Sequence, residues 1–555
     1  MTRSIGEIGA GLAPSRAGAP FILPLALHIV GVGGTAAIGA ALHAAALGVS
    51  VTGCDRHLRD ETTRLLDAAG VSVHDEDDLG PARTATLVAV SKAITSTRPD
   101  HPQLHAARSA GVPIVSLQQV IADAAATRGG RLIGVAGTHG KTTSTGWLLA
   151  ALRASGRDPS AFVGGPLAAG QGSPAGSPIH LGTEPGFIVE ADEYGGNFDP
   201  YAVDSALILN VDWDHPDVFA DRAAVVATFA TWSAPVLARG VVVVNVGDPG
   251  GAEAATALAE HDAGNLIRYA VHSHGRAETA ADVTANLHLA DKGQVQLDGV
   301  TLSDRAARLA PALSSLAGRT LKIGLLGEHN AANALGVAVL AAACGGTGEG
   351  ILTALAEFPG VRRRLEVRFD DGIIVLDDYG HHPVEIASVL KAARAVTGGI
   401  FAPRGKAVRE GDEEKVRQLL LKGDNPNQTD TTGQPLLMVA VVAGHIAVVE
   451  ALLKGGSVVD ALDREGYTSL LRAAERSDVD IVDMLLKRHA KVSAQSRQGT
   501  TALMIASRLG NAEIVRLLLA AKADPNQPDF TGRTAVAYAR QANRASIEAM
   551  LRKAG

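Results

Sequence analysis

Gly433, Gly466, Gly499 and Gly532 stand 33 residues apart, and two apolar registers keep the same interval: Val448, Ile481, Ile514 and Ile547, then Leu452, Leu485, Leu518 and Leu551. Registers locked in phase at one period leave the chain few options. Each unit is a single supersecondary element that cannot bury its apolar face alone, so neighbouring units must stack into a solenoid. Each reads as a turn (REGYTSL, RQGTTAL, FTGRTAV), a short helix, and a second helix such as IAVVEALL or AEIVRLLL. A partial unit, GDEEKVRQLLLKGDNPNQ, precedes them and suits an N-terminal cap. Residues 400–555 are predicted to be this helical array.

The preceding residues have a different texture. With 555 residues in all, one hydrophobic core is too small for the chain, and further domains are expected. Over 25–126, short apolar runs (LALHIVGVGG, VSVTGCD, TLVAVS, VPIVSL) alternate with small-residue helices, the pattern of βαβ units around a parallel sheet. A second α/β unit spans 127–360, with strands RLIGVAG, GFIVEAD, ALILNVD and VVVVN. A third spans only 361–399, from LEVRF and IIVLDD to the helix VEIASVLKAARAV. Two strands and a helix cannot cover both faces of their own sheet, so this unit must lean on a neighbour. Residues 1–24, rich in Gly, Ala and Pro, read as a disordered lead-in.

Composition narrows the functional classes. A formal charge of −7 gives no general affinity for nucleic acid or anionic membrane, so any phosphate binding must be local. Two widely separated cysteines, Cys54 and Cys344, fit a reducing cytoplasm better than a disulfide framework. No Asp, Glu, Lys or Arg falls between Arg16 and Asp55, but Pro24 and the glycines from Gly31 to Gly34 break that stretch. No run of about 20 apolar residues remains, and membrane insertion is not expected.

The strongest chemical motif is GTHGKTT (Gly137, Thr138, His139, Gly140, Lys141, Thr142, Thr143), between an apolar strand and a helix. Glycines let backbone amides approach phosphate oxygens, the helix N-terminus adds positive potential, Lys141 reaches the outer phosphates, and the Thr142 hydroxyl suits Mg²⁺. Val135 occupies the place of the first glycine in the full eight-residue P-loop pattern. The segment EADE (Glu190 to Glu193) ends a strand beside that loop, a usual Mg²⁺ position, and Asp214 and His215 follow the next strand. In GEHNAANA, Asn330 and Asn333 suit either a purine edge or a helix cap. GVRRRLE offers Arg362 to Arg364, of which Arg364 is taken as the residue neutralising developing phosphate charge. DDYGHHPVE (Asp377 to Glu385) packs polar groups at a strand end.

The ordered series HIVGVGG with Asp55, GTHGKTT, VEADEY, NVDWDHPD, GEHNAANA, GVRRRLE and DDYGHHPVEI resembles the Mur ligase family over about residues 25–396, and the 33-residue units resemble ankyrin repeats. The resemblance implies a Rossmann-like first domain holding a UDP diphosphate over Gly31, Gly33 and Gly34, with Asp55 nearby, and a P-loop central domain. It implies an alanine-adding ligase with UDP-N-acetylmuramate and L-alanine as substrates, ATP and Mg²⁺ as cofactors, and an acyl phosphate intermediate. Lys141 would stabilise the transferring phosphoryl group; Thr142, Glu190 and His215 would hold Mg²⁺; Asn330 and Asn333 would face adenine. Asp378, Tyr379 and His381 would lie near the incoming amino acid.

The family's third domain is normally a complete α/β fold, and only about 35 residues of it are recognisable here. Three other readings therefore stay open beside the ligase: a scaffold that binds ATP and UDP-sugar without completing ligation, a recycling ligase that attaches a whole peptide, and a fusion of two unrelated genes in which the repeats do nothing for the ligase. The repeats imply a protein partner that nothing in their residues names.

Overall fold

The structure is a computed structural model. It describes residues 3–168, 176–273, 280–289, 294–362, 366–370, 374–378, 383–396, 403–421, 426–427, 429, 434–463 and 465–555. The chain divides into two compact units, Met1–Val396 and Thr397–Gly555.

The first unit opens on a parallel sheet of β1 (Ala26–Val30), β2 (Ser50–Cys54), β3 (Ser72–His74), β4 (Leu87–Val90) and β5 (Ile114–Ser116). Their order is β3-β2-β1-β4-β5, so the winding reverses between β1 and β4, the place where open α/β sheets take ligands. The near-continuous apolar run of β1 follows from burial on both faces.

A ten-stranded sheet follows. It comprises β6 (Leu132–Ala136), β7 (Ser160–Phe162), β8 (Ile179–His180), β9 (Phe187–Ala191), β10 (Ser205–Ile208), β11 (Val242–Asn245), β12 (Leu266–His272), β13 (Val283–Leu289), β14 (Val295–Leu302) and β15 (Leu321–Ile323). The order β15-β14-β13-β12-β11-β10-β6-β9-β7-β8 puts β6 between β10 and β9. All three run parallel, with Val135 opposite both Glu190 and Leu207. Three loops therefore leave the same edge side by side. The helix after β6, Lys141–Ala154, is locked by Trp147, which is fully buried and donates its indole N–H to the Ala354 carbonyl at 2.8 Å. Truncating such a side chain costs about 3–5 kcal/mol, so this helix start is a rigid platform.

The short third unit forms an antiparallel pair, β16 (Glu366–Asp370) with β17 (Ile374–Asp377), and the helix Pro383–Val396. Ala392 on that helix is buried, close against Gly327 of the central unit, whereas Ile386 and Leu390 stay exposed. Among the described side chains, the expected leaning is made by Ala392.

The lead-in departs from expectation. Residues 3–24 are mostly exposed but anchored rather than free: Ile8 is fully buried, its carbonyl accepts the Thr95 hydroxyl at 2.7 Å, and Arg16 makes two 2.8 Å bonds to Asp123. Arg3 reaches Asp217 through its guanidinium and its backbone N–H, each at 2.6 Å. Composition suggested a free tail, but tertiary contacts made by a few long side chains hold it.

The second unit is a succession of helix pairs: Pro403–Glu410 with Glu413–Leu421, Leu436–Ala443 with Ile446–Lys454, Ser469–Arg476 with Val479–Lys487, Ala502–Leu509 with Ala512–Ala520, and Ala535–Gln541 with Ala545–Ala554. Both 33-residue apolar registers, from Val448 to Ile547 and from Leu452 to Leu551, lie in its core. Gly466, Gly499 and Gly532 have φ of 76°, 81° and 83°, the left-handed turn that glycine adopts without a steric penalty. The cap fragment supplies the second helix of the first pair, Glu413–Leu421, and Pro403–Glu410 precedes it.

Candidate active site

The loop after β6 crosses the strand exits beside it. Thr138 donates its amide to the Asn210 carbonyl at 3.1 Å, and His139 donates its own to the Asn210 side-chain oxygen at 2.7 Å. Asn210 returns a bond from its Nδ2 to the His139 carbonyl at 3.0 Å, and the Asp212 amide donates to the Thr138 hydroxyl at 2.9 Å. The two glycines permit this approach. A Cβ on Gly137 (φ 144°) would lie 3.0 Å from Leu209 Cβ, and one on Gly140 (φ 79°) would lie 2.9 Å from Asn333 Nδ2. Gly140 caps the helix without a side chain, leaving the first-turn amides for an anion.

Lys141 sits at the focus of the acidic residues. Its ammonium donates to the Gly137 carbonyl at 2.7 Å and to Glu193 Oε2 at 3.0 Å, with Asp192 Oδ1 at 3.5 Å. Burial alone would lower its pKa; the charges of Glu193, Asp192 and Glu190 outweigh that and hold it above the ordinary lysine value. Burial raises the Glu193 carboxyl. Burial also opposes ionisation of Asp192, but Lys141 and a 2.8 Å bond from Asn197 prevail and keep its pKa low.

Asp192, Glu193 and His215 each offer one ligand atom, all within 4.8 Å of one another. His215 holds φ at 53°, an unfavourable value for a residue with a Cβ, and its ring meets Tyr194 edge-on at 4.9 Å. The expected trio of Thr142, Glu190 and His215 shares His215 with this group. Glu190 falls outside the His215 group; its carboxyl and the Thr142 methyl face the adjacent glycines Gly164 and Gly165, where a Cβ would come within 2.2 Å and 2.7 Å of them. Carboxylate and hydroxyl oxygens are hard donors of the kind Mg²⁺ takes, so the residues here fit that ion.

A cavity of about 700 Å³ opens beside the loop, lined by His139, Gly140, Thr143, Asn330, Asn333 and Asp378 among others. Asn330 donates to the Leu326 carbonyl at 2.7 Å, and Asn333 donates to Asn330 Oδ1 at 3.3 Å, so these asparagines order one another while lining the cavity. Arg364, Tyr379 and His381 lie outside the described residues. Asn210, Asp192 and Glu193 carry no individual signal in the sequence, although the two acids stand inside the EADE motif.

In the first sheet, Gly31 (φ 75°) and Val32 donate to the Cys54 carbonyl at 2.9 and 3.1 Å. Asp55 accepts from the Gly33 and His57 amides at 3.0 and 3.1 Å. Its carboxylate is spent on shaping the glycine turn. Burial pushes the Cys54 and Cys344 thiols up to about 12 and about 11, which leaves them unreactive at neutral pH. Among the described residues no helix is long and apolar enough to cross a membrane.

Comparison with known proteins bears on the whole chain. Residues 26–128 match the Mur ligase family catalytic domain, 135–341 the Mur ligase middle domain, and 405–496 and 487–539 ankyrin repeats. A UDP-N-acetylmuramate–L-alanine ligase of Kineococcus radiotolerans is 33% identical over 441 residues, covering 76% of this chain and 87% of that protein. One from Mycobacterium tuberculosis is 34% identical over 446 residues, covering 76% and 85%. Among solved structures, a murein peptide ligase from Psychrobacter arcticus is 26% identical with a TM-score of 0.52, covering 67% of this chain and 76% of that one. The UDP-N-acetylmuramate–alanine ligase of Thermotoga maritima shares the fold at 24% identity, with a TM-score of 0.54 over 67% and 78%. Strand order, phosphate loop and sequence kinship agree: this chain belongs to the Mur ligase family and carries ankyrin repeats after its ligase unit.

Proposed function

We propose that the chain joins L-alanine to UDP-N-acetylmuramate at the expense of ATP, and that its repeats dock a protein partner. The observation that carries the reading is Lys141, held by Asp192 and Glu193 at the mouth of a glycine loop with an open helix start. A cation anchored at that point stabilises negative charge on a phosphoryl group in transfer.

The muramoyl carboxylate attacks the γ-phosphorus and ADP leaves. The alanine amine then attacks the acyl carbon, phosphate leaves, and an amide forms with loss of a proton. Thr142, Glu190 and His215, with Asp192 and Glu193 beside His215, would hold Mg²⁺, which supplies charge neutralisation to the phosphates when bound. Asn330 and Asn333 line the cavity suited to adenine, and Gly31, Gly33 and Gly34 form the turn suited to the UDP diphosphate. Arg364 would neutralise developing phosphate charge, and Tyr379 and His381 would lie near the incoming amino acid. The substrate and the two free, buried cysteines fit a cytoplasmic setting.

Incubation with Mg-ATP, UDP-N-acetylmuramate and an equimolar mixture of L-alanine and a cell-wall tripeptide, followed by mass spectrometry, tests the substrate. The alanyl product is expected. A tripeptide product would establish the recycling reaction instead, and no product would leave a ligand-binding scaffold.

A further inference from the structure

The side chain that this mechanism leaves unexplained is Lys92. The residue is 5% exposed, yet among the described residues its ammonium makes one hydrogen bond, to the Gly195 carbonyl at 2.7 Å. An ammonium carries three N–H donors. Burial outweighs the longer-range attraction of Asp199 and Asp192 and holds its pKa below the ordinary lysine value. A buried charge with one neutral acceptor costs stability, so the fold by itself does not favour a lysine here.

Its place in the topology supplies a reason for it. Lys92 is the second residue beyond β4, and β4 pairs with β1 so that Val90 stands opposite Val30, the residue before the glycine turn. Two residues further on, the Ile94 side chain lies against Gly31, close enough that a Cβ there would be 2.6 Å from it. On its other side, Gly195 is two residues past Glu193, one of the carboxylates that hold Lys141. Lys92 thus stands between the turn suited to a diphosphate and the loop suited to phosphoryl transfer, on the path a sugar must span to connect them.

The geometry points to Lys92 as an anion-binding residue of the sugar-nucleotide site, contacting either the diphosphate or the lactyl carboxylate of the substrate. The assignment rests on the UDP-N-acetylmuramate reading given above. Nothing else on the first sheet's ligand edge offers a buried cation in that position among the described residues.

The test is calorimetric titration of the full-length protein and its Lys92→Met and Lys92→Arg variants with UDP, UDP-N-acetylglucosamine and UDP-N-acetylmuramate. ATP affinity and thermal midpoint are followed in parallel. Lys92→Met should bind UDP-N-acetylmuramate at least about tenfold more weakly. It should keep its ATP affinity and melt at the same temperature or higher, and Lys92→Arg should recover part of the loss. Weakening of all three ligands identifies the diphosphate; weakening of UDP-N-acetylmuramate alone identifies the carboxylate. Unchanged binding of all three overturns the assignment, as does weaker binding accompanied by a lower midpoint and lost ATP affinity, which marks a structural strut. If the methionine variant does not fold, Lys92→Gln carries the same comparison. A wild type that binds none of the three sinks the sugar-nucleotide reading itself, and the assignment with it.

Discussion

Buried polar groups are handled in opposite ways in the two units. In the repeats, three buried polar residues at equivalent positions each close their own turn. Asp463 accepts the amides of Glu465 and Tyr467, Ser496 those of Gln498 and Thr500, and Asp529 those of Thr531 and Arg533, at 33-residue intervals. In the ligase unit the polar groups converge from distant stretches: Lys141 meets Glu193, and Asn210 meets His139 from 71 residues away. A polar group satisfied by its immediate neighbours in sequence builds a scaffold. One that depends on another strand's exit, and gathers charge at one point, is arranged for a ligand.

That contrast can be broken most sharply at Lys141. Lys141→Met should slow phosphate release about a thousandfold while leaving the unfolding of the repeats unchanged, as measured by a coupled phosphate assay and by hydrogen exchange. The converse is Leu518→Ala, in the repeat core. It should destabilise that unit by about 3 kcal/mol, read from denaturant unfolding, with phosphate release unaltered. Asn210→Ala removes the brace from the phosphate loop and should weaken ATP binding about tenfold, seen in titration, with little change in thermal midpoint.

The smallest effect concerns Asp463. Burial raises its pKa, but bonds from Arg472 and from the Tyr467 and Glu465 amides prevail and hold it below the usual carboxylate range. A folded-state pKa below the unfolded value stabilises fully above about pH 4, and that stability is lost as pH falls through the folded value. The melting gap between wild type and Asp463→Asn should therefore narrow between pH 6 and pH 3.

The repeats were legible because their spacing is itself the structure: a 33-residue register of Val, Ile and Leu states which residues are buried. The phosphate loop was legible because GTHGKTT sits between a strand and a helix, where glycines and a lysine have few other uses. Asn210 was not, since one asparagine at a strand end acquires its role only once β10 pairs with β6 in register. Glu190, Asp192 and Glu193 share one motif, and only the fold decides which of them group with His215. The strands β13 to β15 interleave buried with more exposed residues, a weaker signal than the VVVVN run, and the lead-in hides its anchors in a composition typical of loose chain.

We propose that the converging polar groups of the first unit perform ligation. Phosphate release by the full chain with Mg-ATP and UDP-N-acetylmuramate, with and without L-alanine, addresses it most directly. Release that requires all three components is the predicted result. Measurable binding of ATP and of the sugar nucleotide with no alanine-dependent release would contradict it.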